Sequence, residues 1–97
     1  MYLFNLSIIF EDSVQEPLIP FIKKVAHSYT DKEVKLLKML QSPHPGQTYC
    51  LQIIAKSEEE IEQLKAEIMQ ELQLYITNNC HEKAFIFDSL MQYLPTN

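Results

Sequence analysis

A single glycine in 97 residues removes several functions at once. Phosphate-cradling loops and dinucleotide-binding turns need glycines at fixed spacing so that backbone amides can approach the anion. No G-x-S-x-G turn is present to carry a nucleophilic serine. The two cysteines, Cys50 and Cys80, are too few for a disulfide framework. Cys50 lies in an apolar alternating run and reads as a buried thiol. Also missing is any run near the ~18 apolar residues that a membrane span requires. The first ten residues are apolar, but Asn5 and Ser7 interrupt them and Glu11-Asp12 follow directly. Without a basic segment in front, they read as a strand and not as a signal peptide. A reducing cytoplasm is the expected compartment, with no membrane partner.

Positive charge is scarce as well. Eight basic residues against thirteen acidic ones give a net charge of -5, which repels polyphosphate backbones. In the densest basic stretch, Lys32, Lys35 and Lys38 are interleaved with Asp31 and Glu33. That is a solvated edge, and no nucleic-acid partner is expected.

Metal and catalytic signals are equally thin. His27, His44 and His81 are scattered, and Cys80-His81 is the only adjacent pair of soft ligands, with no C-x-x-C or H-x-x-x-H spacing to complete a site. Neighbouring Cys80 and His81 side chains diverge on a turn, so they make no nucleophile-base pair. Glu58, Glu59 and Glu60 suit the positive end of a helix better than a metal. The expectation is no catalytic residue, no cofactor and no metal.

What the sequence does hold is alternation. A hydrophobic fraction of 46% and a charged fraction of 22% are ordinary for one globular domain over residues 1–97. Tyr2 to Phe10 alternates with period two, placing Tyr2, Phe4, Leu6, Ile8 and Phe10 on one face of a strand. A helix is predicted over Val14 to Ser28, opened by a capping box of Ser13 and Glu16, with Pro20 either kinking it or preceding its regular part. Glu33 to Gln41 reads as an edge strand with charges on both faces. Ser42-Pro43-His44-Pro45-Gly46 is a loop, and Gln47 to Lys56 a third strand paired with the second as a hairpin.

Ser57 and Glu60 cap a second helix, whose stripe is Ile61, Leu64, Ile68, Leu72, Tyr75 and Ile76. Thr77-Asn78-Asn79 is the expected stop. The last strand is predicted over Lys83 to Tyr93, with Phe85, Phe87, Met91 and Tyr93 as one parity and Ala84, Ile86, Asp88, Leu90 and Gln92 as the other. The order β-α-β-β-α-β is the ferredoxin-like split βαβ arrangement: an α+β fold with two helices on one face of a four-stranded antiparallel sheet.

The other face then has no cover of its own. With the apolar parities turned to the helices, it carries Asn5 and Ser7, then Thr48, Cys50 and Gln52, then Asp88 and Gln92. Leu3, Ile9, Ile54, Ile86 and Leu90 supply its apolar part. Asn5, Ser7, Thr48, Gln52 and Asp88 are the candidate ligand or interface residues, because a polar group stranded in an interface costs about 1–3 kcal/mol. The leading expectation is a non-enzymatic or regulatory homodimer joined through this face. The alternative is a dimeric α+β barrel enzyme or small-molecule-binding protein, with Asn5, Gln52 and Asp88 contacting the ligand. An RNA platform is disfavoured, since the third strand offers Thr48, Cys50 and Gln52 where aromatics beside Lys or Arg are needed.

Three segments resemble a known family in order and spacing: Met1-Tyr2-Leu3-Phe4-Asn5-Leu6-Ser7, Gly46-Gln47-Thr48-Tyr49-Cys50-Leu51-Gln52 and Phe85-Ile86-Phe87-Asp88-Ser89-Leu90. Together they are similar to the uncharacterised bacterial domain of unknown function family 4286. The resemblance implies a small ferredoxin-like protein and no established activity. It departs at Asp88, where the family pattern has an arginine, and at Leu18 and Phe21, where it has tryptophan-like aromatics. No cationic role carries over to Asp88.

Overall fold

A computed structural model describes residues 1–96. The strands are β1 (Tyr2–Phe10), β2 (Glu33–Lys38), β3 (Gln47–Ala55) and β4 (Ala84–Gln92). The helices are α1 (Gln15–His27) and α2 (Glu58–Asn79). The sheet order is β2-β3-β1-β4 with every pairing antiparallel. The two helices lie on one face, which is the α+β, ferredoxin-like-type arrangement read from the sequence.

The core follows from the alternation in the two central strands. Phe4, Leu6, Ile8 and Phe10 of β1 and Leu51, Ile53 and Ala55 of β3 are buried beneath Leu18, Ile22 and Val25 of α1 and the Ile61, Leu64, Ile68, Leu72 and Ile76 stripe of α2. Each large aliphatic or aromatic side chain buried there contributes roughly 1.5–3 kcal/mol. The two helices are also fastened to each other at their outer surface. The Phe21 and Tyr75 rings stack with centroids 4.0 Å apart, and the Tyr75 hydroxyl donates to the Pro17 carbonyl at 2.9 Å.

The helix ends differ from expectation in two places. At α1 the Ser13–Glu16 capping box is absent: a 3-10 turn, Asp12–Val14, runs straight into the helix, so Val14 occupies the cap with no side-chain hydrogen bond. Ser13 is inside that turn and has left the cap position. The chain is held there from outside, since Gln47 Nε2 donates to Asp12 Oδ1 at 2.9 Å and to Gln15 Oε1 at 2.6 Å. Pro20 lies within the helix, where it provides no amide for the carbonyl four residues earlier.

At α2 the N-terminus is as predicted: the Ser57 hydroxyl accepts from the Glu60 amide at 3.3 Å. The C-terminus falls at Asn79, within the expected stop, but the left-handed residues are His81 (φ 49°) and Glu82 (φ 65°) and not the asparagines. Cys80, fully buried, draws the last turn into the core before the chain reverses. The Lys83 amide then donates to the Cys80 carbonyl at 2.9 Å and starts β4.

β2 stops at Lys38, three residues short of expectation. Its connection to β3 folds back over the end of β1. Gly46 (φ 83°) makes this possible: a Cβ there would stand 2.4 Å from the Phe10 carbonyl oxygen. No side chain other than hydrogen fits that approach.

Candidate functional site

The strand registers assign every residue of the helix-free face. Cross-strand partners share a face, which sorts them into rows. The first row is Glu33, Ile54, Leu3 and Met91. The middle row is Lys35, Gln52, Asn5 and Ser89, and the third is Leu37, Cys50, Ser7 and Phe87. A fourth row holds Thr48, Ile9 and Phe85.

Three of the five candidate residues come together in the centre of this face. Gln52 Nε2 donates to Asn5 Oδ1 at 3.1 Å, Asn5 Nδ2 donates to Ser7 Oγ at 3.3 Å, and Ser7 Oγ lies 3.9 Å from Cys50 Sγ. The four side chains form one hydrogen-bonded chain across β3 and β1. Each carboxamide has groups left over: Gln52 retains an N–H and its oxygen, and Asn5 retains an N–H. The chain is uncharged, and Lys35 and Glu33 at the β2 edge, 3.8 Å apart, are the nearest ions in these rows.

Thr48 belongs to the same face but is separate from that chain. It is buried under the β2–β3 loop and meets Ser42 Oγ at 3.0 Å. The loop runs on toward β4, where the His44 ring meets Phe85 edge-on at 6.0 Å. Ile9, on the helix-free side by register, is therefore only 3% exposed. The expectation of a wholly uncovered face is corrected here: the Pro-containing loop covers Thr48 and Ile9 of the fourth row, leaves Phe85 half exposed at its edge, and does not cover the other three rows, in which Ser7 alone is buried.

Asp88 is on the opposite side of the sheet. Its register partner is Leu6, a core residue, and its carboxylate meets Lys65 Nζ of α2 at 3.1 Å. Ile86 and Leu90 share that parity, as does Gln92, so all four leave the open face. The aromatic residues assigned to the core take their place. Phe85 and Phe87 are about half exposed on the open face, their rings 6.5 Å apart, and Met91 is on the same face two rows further along β4. The cause is edge position: β4 has a neighbour on one side only, so burial does not force its larger parity inward. Register with β1 decides instead.

The same inversion brings in Ser89, which completes the middle row beside Asn5 and which alternation within β4 conceals. No signal in the sequence points to it: register with β1 and the Lys65–Asp88 ion pair, both contacts between distant segments, turn Asp88 toward α2 and Ser89 away from it.

Elsewhere the surface has shallow concavities. One of about 170 Å³ lies beside the loop, lined by Ile9, Phe10, His44, Pro45 and Phe85 among others. Another of about 400 Å³ lies at the far end of the face and includes Met1, Glu33, Ile54 and Lys56. Among the described residues no group of three His, Cys, Asp or Glu side chains is disposed to hold a metal ion, and no helix is long and apolar enough to cross a membrane. Both cysteines are free. Burial pushes the Cys80 thiol above its ordinary pKa, which makes it less nucleophilic.

No protein-family model matches the chain, and no curated protein is significantly similar to it.

Proposed function

We propose that the protein is a non-enzymatic, regulatory homodimer of the cytoplasm that assembles through the three bare rows of its sheet. The observation that carries this reading is the Gln52–Asn5–Ser7–Cys50 chain with its unused donors and acceptors. It is flanked by Leu37, Phe87 and Met91, each 44–46% exposed. Scattered surface hydrophobics are normal; here they border an ordered polar centre, the reverse of the usual apolar core and polar rim, so a partner for this face has to satisfy the carboxamides as well as cover the apolar side chains. A two-fold interface sets a surface against its own copy, and carboxamides suit that because each carries both donor and acceptor. The resemblance to the domain of unknown function family 4286 is compatible with this reading and adds no activity to it.

A second reading shares the assembly and adds a ligand. Large side chains at the margins hold packed sheets about 10 Å apart, whereas Asn5, Ser7, Ser89 and Cys50 in the middle are short. A small uncharged molecule held by the carboxamides would fill the space between two copies, as in dimeric α+β barrels. Asp88 has no part in it.

Sedimentation velocity at micromolar concentration tests the assembly. A dimer mass is expected, and a monomer at every concentration would remove both readings. The two part on an empty or occupied interior: a crystal structure of the dimer with closely packed carboxamides favours the first, and an enclosed polar cavity lined by Asn5 and Gln52 favours the second.

A further inference from the structure

The two edges of the sheet are guarded unequally. β2, at one edge, sets Glu33, Lys35 and Lys38 into six residues, and lysines on an edge discourage a further strand. β4, at the other, has no proline or lysine and pairs with β1 without a bulge. Its one charge, Asp88, is neutralised by Lys65. Apolar side chains occupy both of its parities. Phe85, Phe87 and Met91 are about half exposed on the helix-free side, and Leu90, on the helix side, is 40% exposed. A partner laid over the open face would leave Leu90 in water. Strands apolar on both faces belong in the interior of a sheet.

The backbone along this edge is free, and its phase is fixed. The Tyr93 amide donates to the Met1 carbonyl and the Glu11 amide to the Lys83 carbonyl, each at 2.9 Å. Antiparallel pairs alternate between hydrogen-bonded and non-hydrogen-bonded, so the odd residues from Lys83 to Tyr93 turn their N–H and C=O toward β1. Ala84, Ile86, Asp88, Leu90 and Gln92 turn theirs outward. Among the described residues no other backbone group bonds to them.

We infer that β4 pairs edge to edge with β4 of a second copy, joining two four-stranded sheets into one. A strand added here has to be apolar on both faces and free of guarding charge. β4 is the element of this chain that meets both conditions with an unoccupied edge. Two-fold symmetry admits the pairing in one way. An axis in the sheet plane and across the strands stacks the copies face to face. An axis along the strands sets identical residues level with each other on opposite faces, whereas paired residues share a face. An axis perpendicular to the sheet makes the two strands antiparallel, keeps the helices of both copies on one side and brings outward-facing residues opposite each other. A register centred on Asp88 would oppose two carboxylates. Centring on Phe87 or on Ser89 sets each Asp88 across from Ile86 or from Leu90 instead.

This pairing goes beyond the open-face dimer and uses a different surface. Nine residues at about 3.4 Å each make an edge about 30 Å long, which at about 10 Å depth offers about 300 Å². A standard interface buries about 800 Å² on each partner. Edge pairing is therefore the weaker contact and sets in above the concentrations at which the faces associate.

Amide hydrogen exchange of the full chain, read residue by residue by NMR at micromolar and at millimolar concentration, tests it. The inward amides of Phe85, Phe87, Ser89 and Met91 are the reference, protected at both. The outward amides of Ile86, Asp88 and Leu90 are expected to exchange about fivefold or more slowly at the higher concentration. A face-to-face contact accepts no hydrogen bond from these amides, so its failure, a monomer in micromolar sedimentation, leaves this alternation untouched. Leu90→Pro removes one outward N–H and no bond to β1, and is expected to abolish the slowing. Leu90→Lys does the same by charge if the proline variant does not fold. Outward amides that exchange at one rate at both concentrations, or slowing that survives in either folded variant, would overturn the pairing and leave the edge to a strand of another protein.

Discussion

The two faces of this sheet are built from the same strands and obey different rules. On the helix side, β1 and β3 present Phe4, Leu6, Ile8, Leu51 and Ile53, all fully buried, and the one carboxylate there, Asp88, has a lysine brought to it. On the other side the same two strands present Asn5, Ser7, Cys50 and Gln52, joined into a hydrogen-bonded chain. Burial decides the first face and leaves little freedom in residue choice. The second face is organised although, of these four side chains, only Ser7 is buried within one chain, and the proposed dimer would cover the other three.

Truncations on the helix side should give the largest effects. Phe4→Ala leaves a cavity beneath both helices, and about 3–5 kcal/mol of stability should be lost in chemical denaturation. On the open face, Phe87→Glu should leave stability within about 0.5 kcal/mol of wild type while weakening dimerisation about tenfold or more. A Phe87→Glu protein that unfolds as readily as Phe4→Ala would erase the distinction between the faces.

Thiol labelling compares the same two sides chemically. Cys80 is buried and its thiol is held above the usual pKa by that burial, so disulfide reagents should modify it only after unfolding. Cys50, part-exposed at the centre of the open face, should label readily in dilute protein and more slowly as concentration rises and the face is covered.

Smaller effects come from the ion pairs. Asp88→Asn removes the contact with the partly exposed Lys65 and should cost about 1 kcal/mol or less, with no change in association. Any loss of dimer in that variant would return Asp88 to the open face. Lys32 pairs with Glu60 and holds its carboxyl below the ordinary range. A depressed folded-state pKa adds stability that is present above the unfolded value and lost as pH falls through the folded one. Wild-type stability should therefore fall slightly more steeply than that of Glu60→Gln in acid titration below about pH 4.5.

Much of the helix side is legible from the residues, because period-two alternation in β1 and β3 and the α2 stripe each point one way only. Asn5, Ser7 and Gln52 are legible for the same reason: once the apolar parity of a central strand is fixed, its polar parity is fixed too. β4 misleads because its heavier parity, Phe85 and Phe87, faces outward, and only pairing with β1 reveals that. The loop over Ile9 and Thr48 is invisible in the sequence because it depends on the close approach of Gly46 to the Phe10 carbonyl, a contact between distant segments. The Ser13 cap fails for a related reason. A side chain from β3, Gln47, holds the start of α1, and local spacing carries no record of it.

The central claim is that the Asn5–Gln52 face is covered by a second copy of the chain. Sedimentation equilibrium across the micromolar range tests it most directly. A single monomer–dimer equilibrium is predicted, shifted toward monomer by Phe87→Glu and unchanged by Asp88→Asn. A monomer at all concentrations, or a dimer indifferent to Phe87→Glu, would contradict it.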